Sequence, residues 1–415
     1  MKEIKKFIRV GVDYFMLSQQ PLSSGDSINI TAKWSKQTII DDFGKEVIKD
    51  IKKYEGFCIL PSNIDYKKEI NNYYNRYEQL SYKIETNGNY DTIVFFLKHI
   101  FREQYEIGLD YLTILWKKPS QILPILCLVS SERNTGKTTF LNLLKLIFEG
   151  NMTINKNEDF RGRFNNDWAS KIIIAIDEVL LDRKEDSERI KNLSTSNHYK
   201  SEGKGVDKVE IEFFGKFILC SNNEENFIKT DDKEIRYWVR KILPFETENP
   251  NLLGKMKDEI PSFAGFLTNR EITTKHTTRM WFTKEQIHTK ALDVLVKGNQ
   301  TTIEKEIEDL VIELFEVFNV DQLCFAPIDL VEELNKVNIK VSRNYVGKIL
   351  REHFKLEQKN SSYNLYRLES SRNGYVNSKL DFTSRIGRFY TFKRADFIKN
   401  VDLLTNDEIS NKISG

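Results

Sequence analysis

The segment Thr135-Gly136-Lys137-Thr138-Thr139 has the side chains and the backbone freedom that binding a triphosphate requires. It follows an apolar run, 125–129, and precedes apolar residues at helical spacing, so the sequence predicts a strand, a loop and a helix. In such a loop, backbone N–H groups and the helix N-terminus surround the phosphates, the lysine reaches the β- and γ-phosphates, and a hydroxyl binds Mg²⁺. We therefore expect residues from Asn134 to Thr139 to bind ATP and Thr138 to contact Mg²⁺. The alternative is an ordinary strand-to-helix turn, and Ser131 stands where the phosphate-loop pattern has a glycine.

An acidic pair, Asp177 and Glu178, follows a second apolar run, 172–176, and begins 40 residues after Lys137. An enzyme that hydrolyses nucleotides needs one carboxylate that holds Mg²⁺ and another that activates the attacking water. We expect Asp177 to take the first role and Glu178 the second, the alternative being a solvated strand end. Asn222 follows a third apolar run, 217–220, where a polar side chain can orient the water and sense the γ-phosphate.

Basic residues at two further places suit contacts with phosphates. Lys200, Lys204 and Lys208 lie around glycines and precede a strand-like segment, so the sequence predicts a hairpin with lysines at or near its tip. A plain exposed hairpin is the alternative. Arg236, which lies 14 residues after Asn222, is expected to reach the γ-phosphate held by a neighbouring subunit. Arg240 is the second choice for that role, and a structural salt bridge is the alternative for both arginines.

The order and spacing of these motifs resemble the superfamily 3 helicases, and within them the helicase part of the primase-helicases of bacteriophages and mobile elements, related to the poxvirus type. The resemblance covers about 109–245. It implies a P-loop AAA+-like α/β core, ATP and Mg²⁺ as cofactors, a homohexameric ring around DNA, and a pore hairpin that grips the nucleic-acid backbone. Residue by residue, it assigns Lys137 and Thr138 to the phosphate loop, Asp177 and Glu178 to the acidic pair, Lys204 to the pore, Asn222 to γ-phosphate sensing, and Arg236 to a neighbour's site.

The C-terminal part has the pattern of a second DNA-binding module. Apolar residues at helical spacing predict three helices, the second opened by Pro327 and the third capped by Ser342, followed by a hairpin with its turn at 359–362. This order predicts a winged helix. Residues 303–336 include 10 acidic and 2 basic residues, whereas 338–367 include 7 basic and 2 acidic ones. The basic part is where a winged helix touches DNA, and we expect Arg343, Lys348 and Arg351 to bind it. A small all-α packing domain with a solvated basic face is the alternative.

The 415 residues are enough for two or three domains with separate cores. The sequence predicts an N-terminal α+β domain of unknown role at 1–95, the ATPase domain at 96–260, a connector at 261–300, the winged-helix domain at 301–370 and a basic aromatic tail at 371–415. The tail either adds nucleic-acid contacts or packs on the domain before it. Within the first domain, the tyrosine-rich segment 66–82 is predicted to be helical. No primase site is expected there, because the acidic residues are scattered rather than paired.

Composition excludes several classes of protein. The 63 basic and 61 acidic side chains give a net charge of +2, which predicts no partner by itself. The four cysteines are far apart and form no CxxC pair, so neither a zinc ribbon nor a disulfide framework is indicated, and a reducing compartment fits best. No apolar run approaches the roughly 20 residues that span a bilayer. We therefore expect a cytoplasmic protein with no membrane partner, and the resemblance to phage proteins implies that this is the cytoplasm of a bacterial host.

The leading hypothesis is an ATP-dependent DNA helicase in phage or mobile-element replication, a hexameric ring that translocates on single-stranded or forked DNA. A separate primase and other replication proteins would be its partners. The alternative is an origin-binding or helicase-loading ATPase whose nucleotide controls assembly on DNA without unwinding. A third hypothesis is a defence or signalling NTPase, but the sequence contains no effector motif that would support it.

Overall fold

The computed structural model describes residues 6–21, 27–162, 168–181, 183–201, 209–230, 234–367 and 382–398. The chain divides between Asn299 and Gln300 into two compact units. Within these ranges, no helix combines the length and the apolar character that crossing a bilayer requires.

The first unit begins with short strands and two short helices. They are β1 (Lys6–Val10), β2 (Asp13–Pro21), β3 (Ser27–Trp34), α1 (Lys36–Phe43), α2 (Val47–Asp50), β4 (Lys52–Tyr54), β5 (Phe57–Cys58), β6 (Glu69–Ile70) and β7 (Tyr73–Asn75). The first four strands form a sheet in the order β3-β2-β1-β4, and the last three form a smaller sheet in the order β5-β7-β6. The helix predicted over 66–82 is wrong, because this segment contains β6 and β7 and otherwise irregular backbone. Its tyrosines favour strands as readily as helices.

The rest of the first unit contains helices, a set of parallel strands and one antiparallel pair of strands. They are α3 (Asp91–Phe101), α4 (Tyr105–Lys117), β8 (Ile125–Val129), α5 (Lys137–Phe148), β9 (Met152–Asn155), α6 (Asn157–Arg161), β10 (Ile173–Ile176), α7 (Lys184–Leu193), β11 (His198–Ser201), β12 (Val209–Glu212), β13 (Lys216–Ser221), β14 (Tyr237–Lys241), α8 (Leu252–Asn269), α9 (Lys284–Ile287) and α10 (Lys290–Gly298). The strands predicted at the three apolar runs and the helix after the loop are confirmed. The predicted hairpin is confirmed as the antiparallel pair of β11 and β12.

Five strands form a parallel sheet in the order β14-β8-β13-β10-β9. Side chains of β8 alternate between two cores: Leu126 and Leu128 pack with α3, α4, α5 and α8, whereas Ile125, Cys127 and Val129 pack with α7 and α10. A strand covered on both faces needs an apolar residue at every position, which explains the uninterrupted run 125–129. All carboxyl ends lie at one edge of this sheet. Because β13 lies between β8 and β10, the residues after it lie between the loop after β8 and the acidic pair after β10.

Of residues 261–300, which the sequence predicts as a connector, all but the last belong to the first unit and are packed into it. Helix α8 continues to Asn269 and buries Phe263 and Leu267. Farther along the chain, Phe282 lies in the same core, and Leu295 of α10 lies in the core on the other face of the sheet. Exposed turns separate these buried side chains, so the sequence pattern of this range resembles that of a connector.

Lys216 begins β13 with its charged side chain in the interior, only 3% exposed. Its Nζ donates a hydrogen bond to the carbonyl of Pro119. Burial lowers the pKa of Lys216 to about 7. A charged ammonium is costly to bury with one carbonyl partner, so the folded protein releases the proton at a pH where the unfolded chain keeps it.

We expect Lys216→Met to stabilise the protein most at about pH 6 and least at about pH 10. The wild-type folded state loses the proton near pH 7, whereas an unfolded lysine keeps it up to about pH 10.4, so wild-type stability rises across this window. Methionine fills a similar volume and has no proton to lose. Thermal unfolding of both proteins across the pH range measures the difference in Tm. A difference that is constant with pH would contradict the burial of the charge.

The second unit contains helices and one sheet of three strands. Its elements are α11 (Thr302–Phe318), β15 (Gln322–Phe325), α12 (Pro327–Lys336), α13 (Arg343–Glu352), β16 (Gln358–Tyr366), β17 (Phe382–Lys393) and α14 (Arg394–Phe397). The strands are antiparallel in the order β15-β17-β16, and one apolar core joins them to the helices. The three predicted helices are confirmed, including the Ser342 cap, whose Oγ accepts a hydrogen bond from the Tyr345 N–H at 3.3 Å.

The hairpin of the second unit differs from the prediction. The predicted turn at 359–362 lies inside β16, which is one strand and pairs with β17 over its whole length. Its polar residues 358–362 are exposed, so their composition reflects solvent contact rather than a turn. Strand β17 falls within 371–415, the range predicted as a basic aromatic tail, and Phe389, Tyr390 and Phe392 are buried in the core of the unit. Residues 382–398 therefore pack on the domain before them, which is one of the two alternatives given for the tail.

Candidate nucleotide site

The loop after β8 has the backbone that the sequence predicts. Gly136 has a φ of 89° and immediately precedes α5, and Asn134 has a φ of 55°. Glycine adopts these left-handed values freely, and asparagine tolerates them better than most residues. Ser131 does not have a positive φ, so the serine causes no strain where the pattern has a glycine. Instead, the Ser131 N–H donates to Glu224 Oε1 at 2.8 Å, and the Ser131 hydroxyl donates to the same oxygen at 3.1 Å.

Lys137 is buried at the N-terminus of α5, with its ammonium group inside the loop. Its Nζ donates to the Ser130 carbonyl and to Thr135 Oγ1, both at 3.2 Å. Burial lowers the pKa of Lys137, while the negative charges of Asp177 and Glu224 oppose that effect. The loop thus combines a lysine with the positive end of a helix dipole, an arrangement that binds anionic phosphate.

The structure brings Thr138 and Asp177 into contact although they lie 39 residues apart. Thr138 Oγ1 donates a hydrogen bond to Asp177 Oδ2 at 3.2 Å. No group of three or more His, Cys, Asp or Glu side chains suited to a metal ion occurs in the described part of the chain. Mg²⁺ needs only one or two carboxylates when phosphate oxygens and water complete its shell. The hydroxyl and carboxylate of this pair therefore fit Mg²⁺ bound together with phosphate.

Glu178 has an unusual backbone at the carboxyl end of β10. Its φ is 56°, its side chain is exposed, and its N–H donates to Asp177 Oδ1 at 3.1 Å. Asn157 holds this turn from both sides: Nδ2 donates to the Glu178 carbonyl at 3.1 Å, and Oδ1 accepts from the Leu180 N–H at 3.2 Å. Such a conformation costs on the order of 1–3 kcal/mol and persists only where neighbouring contacts impose it. The sequence analysis missed Asn157, since nothing in its local pattern distinguishes it from a surface asparagine.

Asn222 is exposed directly after β13, at the edge of the sheet where the loop and the acidic pair lie. The Ser221 carbonyl accepts from the Ser130 N–H at 3.2 Å, which joins this edge to the start of the loop. The next residue, Asn223, is occupied by a local turn, because its Oδ1 accepts from two following N–H groups at 2.9 and 3.0 Å. Of the two asparagines, Asn222 is the more exposed, and its contact with a ligand stays a prediction.

Glu224 connects three parts of the site and was also missed by the sequence analysis. Besides its bonds to Ser131, its Oε2 forms an ion pair with Lys241 Nζ at 2.8 Å. Partial burial raises the pKa of Glu224, but the hydrogen bonds from Lys241 and Ser131 outweigh this effect and lower it. The carboxylate thus links the loop after β13 to the loop after β8 and to the end of β14. In the sequence it is one of two consecutive glutamates and shows no distinguishing pattern.

Arg236 lies away from this group, at the opposite edge of the sheet. Its carbonyl accepts from the N–H of Ile125, the first residue of β8, whereas the loop follows the last residue of that strand. A five-residue strand separates these two edges by roughly 13 Å. The Arg236 side chain forms an ion pair with the buried carboxylate of Glu234 at 2.8 Å and is 36% exposed. Arg236 therefore cannot serve the site of its own chain.

Arg240, the second choice for a finger, is a structural residue. Its side chain is 3% exposed, and it donates to Glu103 Oε1, Gln104 Oε1 and the Phe101 carbonyl, each at 2.7 Å. The salt-bridge alternative is thus what the structure shows for Arg240.

The predicted DNA contacts lie in both units. Lys200 is exposed on β11, whereas Lys204 and Lys208 lie outside the described residues. Three further residues, Arg343, Lys348 and Arg351, are exposed on α13 of the second unit. Arg351 donates to the Tyr390 hydroxyl at 3.0 Å, and Lys348 lies 3.7 Å from a carboxylate oxygen of Glu352.

Comparisons with known proteins give one family match over the region of the candidate site and solved structures with a similar fold. A family model described as a family of unknown function (DUF5906) matches residues 128–240, which include the loop, the acidic pair, Asn222 and Arg236. The chain has no match among curated proteins. It is similar to the apo structure of the NrS-1 C-terminal region (305–718), with a TM-score of 0.56 and 17% identity over 86% of this chain and 84% of that one. It is also similar to the A form apo structure of that region, with a TM-score of 0.55 and 16% identity over 85% and 84% of the two chains. The chain therefore shares its fold with the NrS-1 C-terminal region.

Proposed function

We propose that the chain is an ATP-dependent DNA helicase of phage or mobile-element replication, which acts as a homohexamer in the bacterial cytoplasm. The first unit would be the P-loop AAA+-like ATPase, and the second unit would be a winged helix. The observation that carries the proposal is the 3.2 Å contact between Thr138 and Asp177, because it joins the phosphate loop to the acidic strand end. The carboxyl ends of all the parallel strands share one edge, and at that edge this contact pairs the hydroxyl with the carboxylate that binding Mg²⁺ would require.

The site residues would divide the work of hydrolysis as follows. Lys137 and the N-terminus of α5 would bind the phosphates of ATP, and Thr138 and Asp177 would hold Mg²⁺, which supplies charge neutralisation during phosphoryl transfer. Glu178 would accept a proton from the attacking water. Asn222 would hold this water and the γ-phosphate in position. The difference between the two acidic side chains supports this division, because Asp177 is bonded to Thr138 whereas the Glu178 side chain is exposed.

Lys137→Ala is expected to abolish ATP hydrolysis and leave the fold intact. The lysine would contribute a phosphate contact from a loop, and its hydrogen bonds all lie within that loop. ATPase activity is measured with and without forked DNA, and displacement of a labelled strand of that DNA measures unwinding. Circular dichroism checks that the variant is folded. Unchanged hydrolysis would overturn the proposed function. Wild-type hydrolysis without any strand displacement would favour the origin-binding or loading ATPase instead.

The second unit is expected to bind duplex DNA through α13. The double substitution Arg343→Ala and Lys348→Ala should weaken the salt dependence of duplex binding. The slope of the logarithm of the association constant against the logarithm of the salt concentration should become shallower by about 1.8, because each phosphate contact contributes about 0.9. The matched control is Lys305→Ala with Lys336→Ala, which removes the same charge from α11 and α12. Equal losses in the two double variants would indicate general charge attraction and would contradict a DNA-reading helix.

A further inference from the structure

An aromatic pair is attached directly to the loop after β8. His99 of α3 lies with Nε2 3.0 Å from the Thr135 carbonyl oxygen, at hydrogen-bond distance. Its ring stacks on Phe245 with the centroids 3.9 Å apart and the planes inclined by 16°. The Phe245 N–H in turn donates to the Asn134 carbonyl at 3.2 Å. Two consecutive loop residues therefore fix the position of two stacked rings, both only partly buried.

A third aromatic ring lies on the same helix. Phe95 is 62% exposed and precedes His99 by four residues, so the two side chains share one face of α3. A single exposed phenylalanine is common on protein surfaces and does not by itself indicate a binding site. This one lies about one helical turn before His99, whose ring contacts the loop.

We propose that the base of the bound nucleotide stacks on the ring of His99, which Phe245 supports from its other face, and on the neighbouring ring of Phe95. This inference rests on the proposed function, because it takes the loop as the phosphate site. A base whose phosphates lie in that loop must rest on a surface that adjoins it, and the stacked rings of His99 and Phe245 are held against the loop by contacts with Thr135 and Asn134. Burial also lowers the pKa of His99, which favours the neutral ring and keeps a positive charge away from the base.

Stacking of this kind favours purines over pyrimidines, because the larger ring system covers more of the aromatic surface. Aromatic stacking also tolerates different substituents on the base. We therefore expect ATP and GTP to bind with similar affinity and UTP to bind more weakly.

The test compares nucleotides with inorganic tripolyphosphate, which has the phosphates without the base. In the presence of Mg²⁺, Phe95→Ala should weaken ATP binding by about 5- to 100-fold and leave tripolyphosphate binding unchanged. Phe95→Trp should preserve or tighten ATP binding. The matched control is Phe382→Ala in the second unit, which removes a phenylalanine that is 50% exposed and should change neither affinity.

The outcomes separate this inference from the proposed function. If wild-type protein binds neither ATP nor tripolyphosphate, both are overturned. If it binds both ligands with Lys137-dependent affinity and Phe95→Ala binds ATP as tightly as wild type, only the stacking surface is overturned. Equal weakening of ATP and tripolyphosphate by Phe95→Ala would also overturn it, because the effect would then come from the loop.

Discussion

Arg236→Ala is expected to bind ATP normally and to hydrolyse it about 10³- to 10⁵-fold more slowly, the range typical of an arginine finger. Because Arg236 lies at the edge of the sheet opposite the phosphate loop, it can act only on a nucleotide bound to another subunit. Nucleotide binding by titration and hydrolysis under saturating ATP measure the two parts of this expectation.

Mixing inactive variants tests the shared site directly. Lys137→Ala subunits retain Arg236, and Arg236→Ala subunits retain an intact phosphate loop, so mixed rings would contain some complete sites. We expect part of the ATPase activity to return on mixing. Absence of recovery at every mixing ratio would refute the shared-site mechanism, even if each single variant were inactive.

The ion pair with Glu234 provides the competing explanation for Arg236. The buried Glu234 carboxylate also lies 3.2 Å from Lys191 Nζ, so it keeps one positive partner when Arg236 is removed. A purely structural arginine predicts a lower Tm for Arg236→Ala together with weaker ATP binding. Thermal unfolding of the variant distinguishes the two roles, since a finger predicts lost turnover at an almost unchanged Tm.

Glu178→Gln is expected to retain ATP binding and to lose about 10²- to 10⁴-fold in turnover, because the amide cannot accept the proton from water. The substitution keeps the size of the side chain, and the contacts from Asn157 hold the backbone of this turn. Single-turnover hydrolysis measures the chemical step separately from product release.

Glu225→Gln is the matched control for Glu178→Gln, since it neutralises another exposed glutamate in a loop at the same edge of the sheet. It should leave turnover near the wild-type value. Loss of ATP binding in Glu178→Gln would instead mean that Glu178 holds the metal ion and Asp177 acts as the base.

Local patterns were sufficient for the elements whose burial follows one regular pattern along the segment. Strands β8, β10 and β13 are covered on both faces, so each is an uninterrupted apolar run that sequence analysis finds. Helices α11, α12 and α13 show apolar residues at helical spacing because each packs one face on a single core. Elements with mixed surroundings were missed, as in β6 and β7 and in the exposed half of β16.

The sequence by itself determined which residues carry the chemistry of a phosphate site, because Gly136, Lys137, Thr138 and the acidic pair act through side-chain type and short spacing. Only the tertiary structure decided which of them meet. Strand order brings Thr138 to Asp177 across 39 residues and places Asn222 at the end of β13, the strand between β8 and β10. The same order places Arg236 at the far edge. Contacts from Asn157, Glu224 and His99 come from distant segments, and no local pattern can encode a partner that only folding brings near.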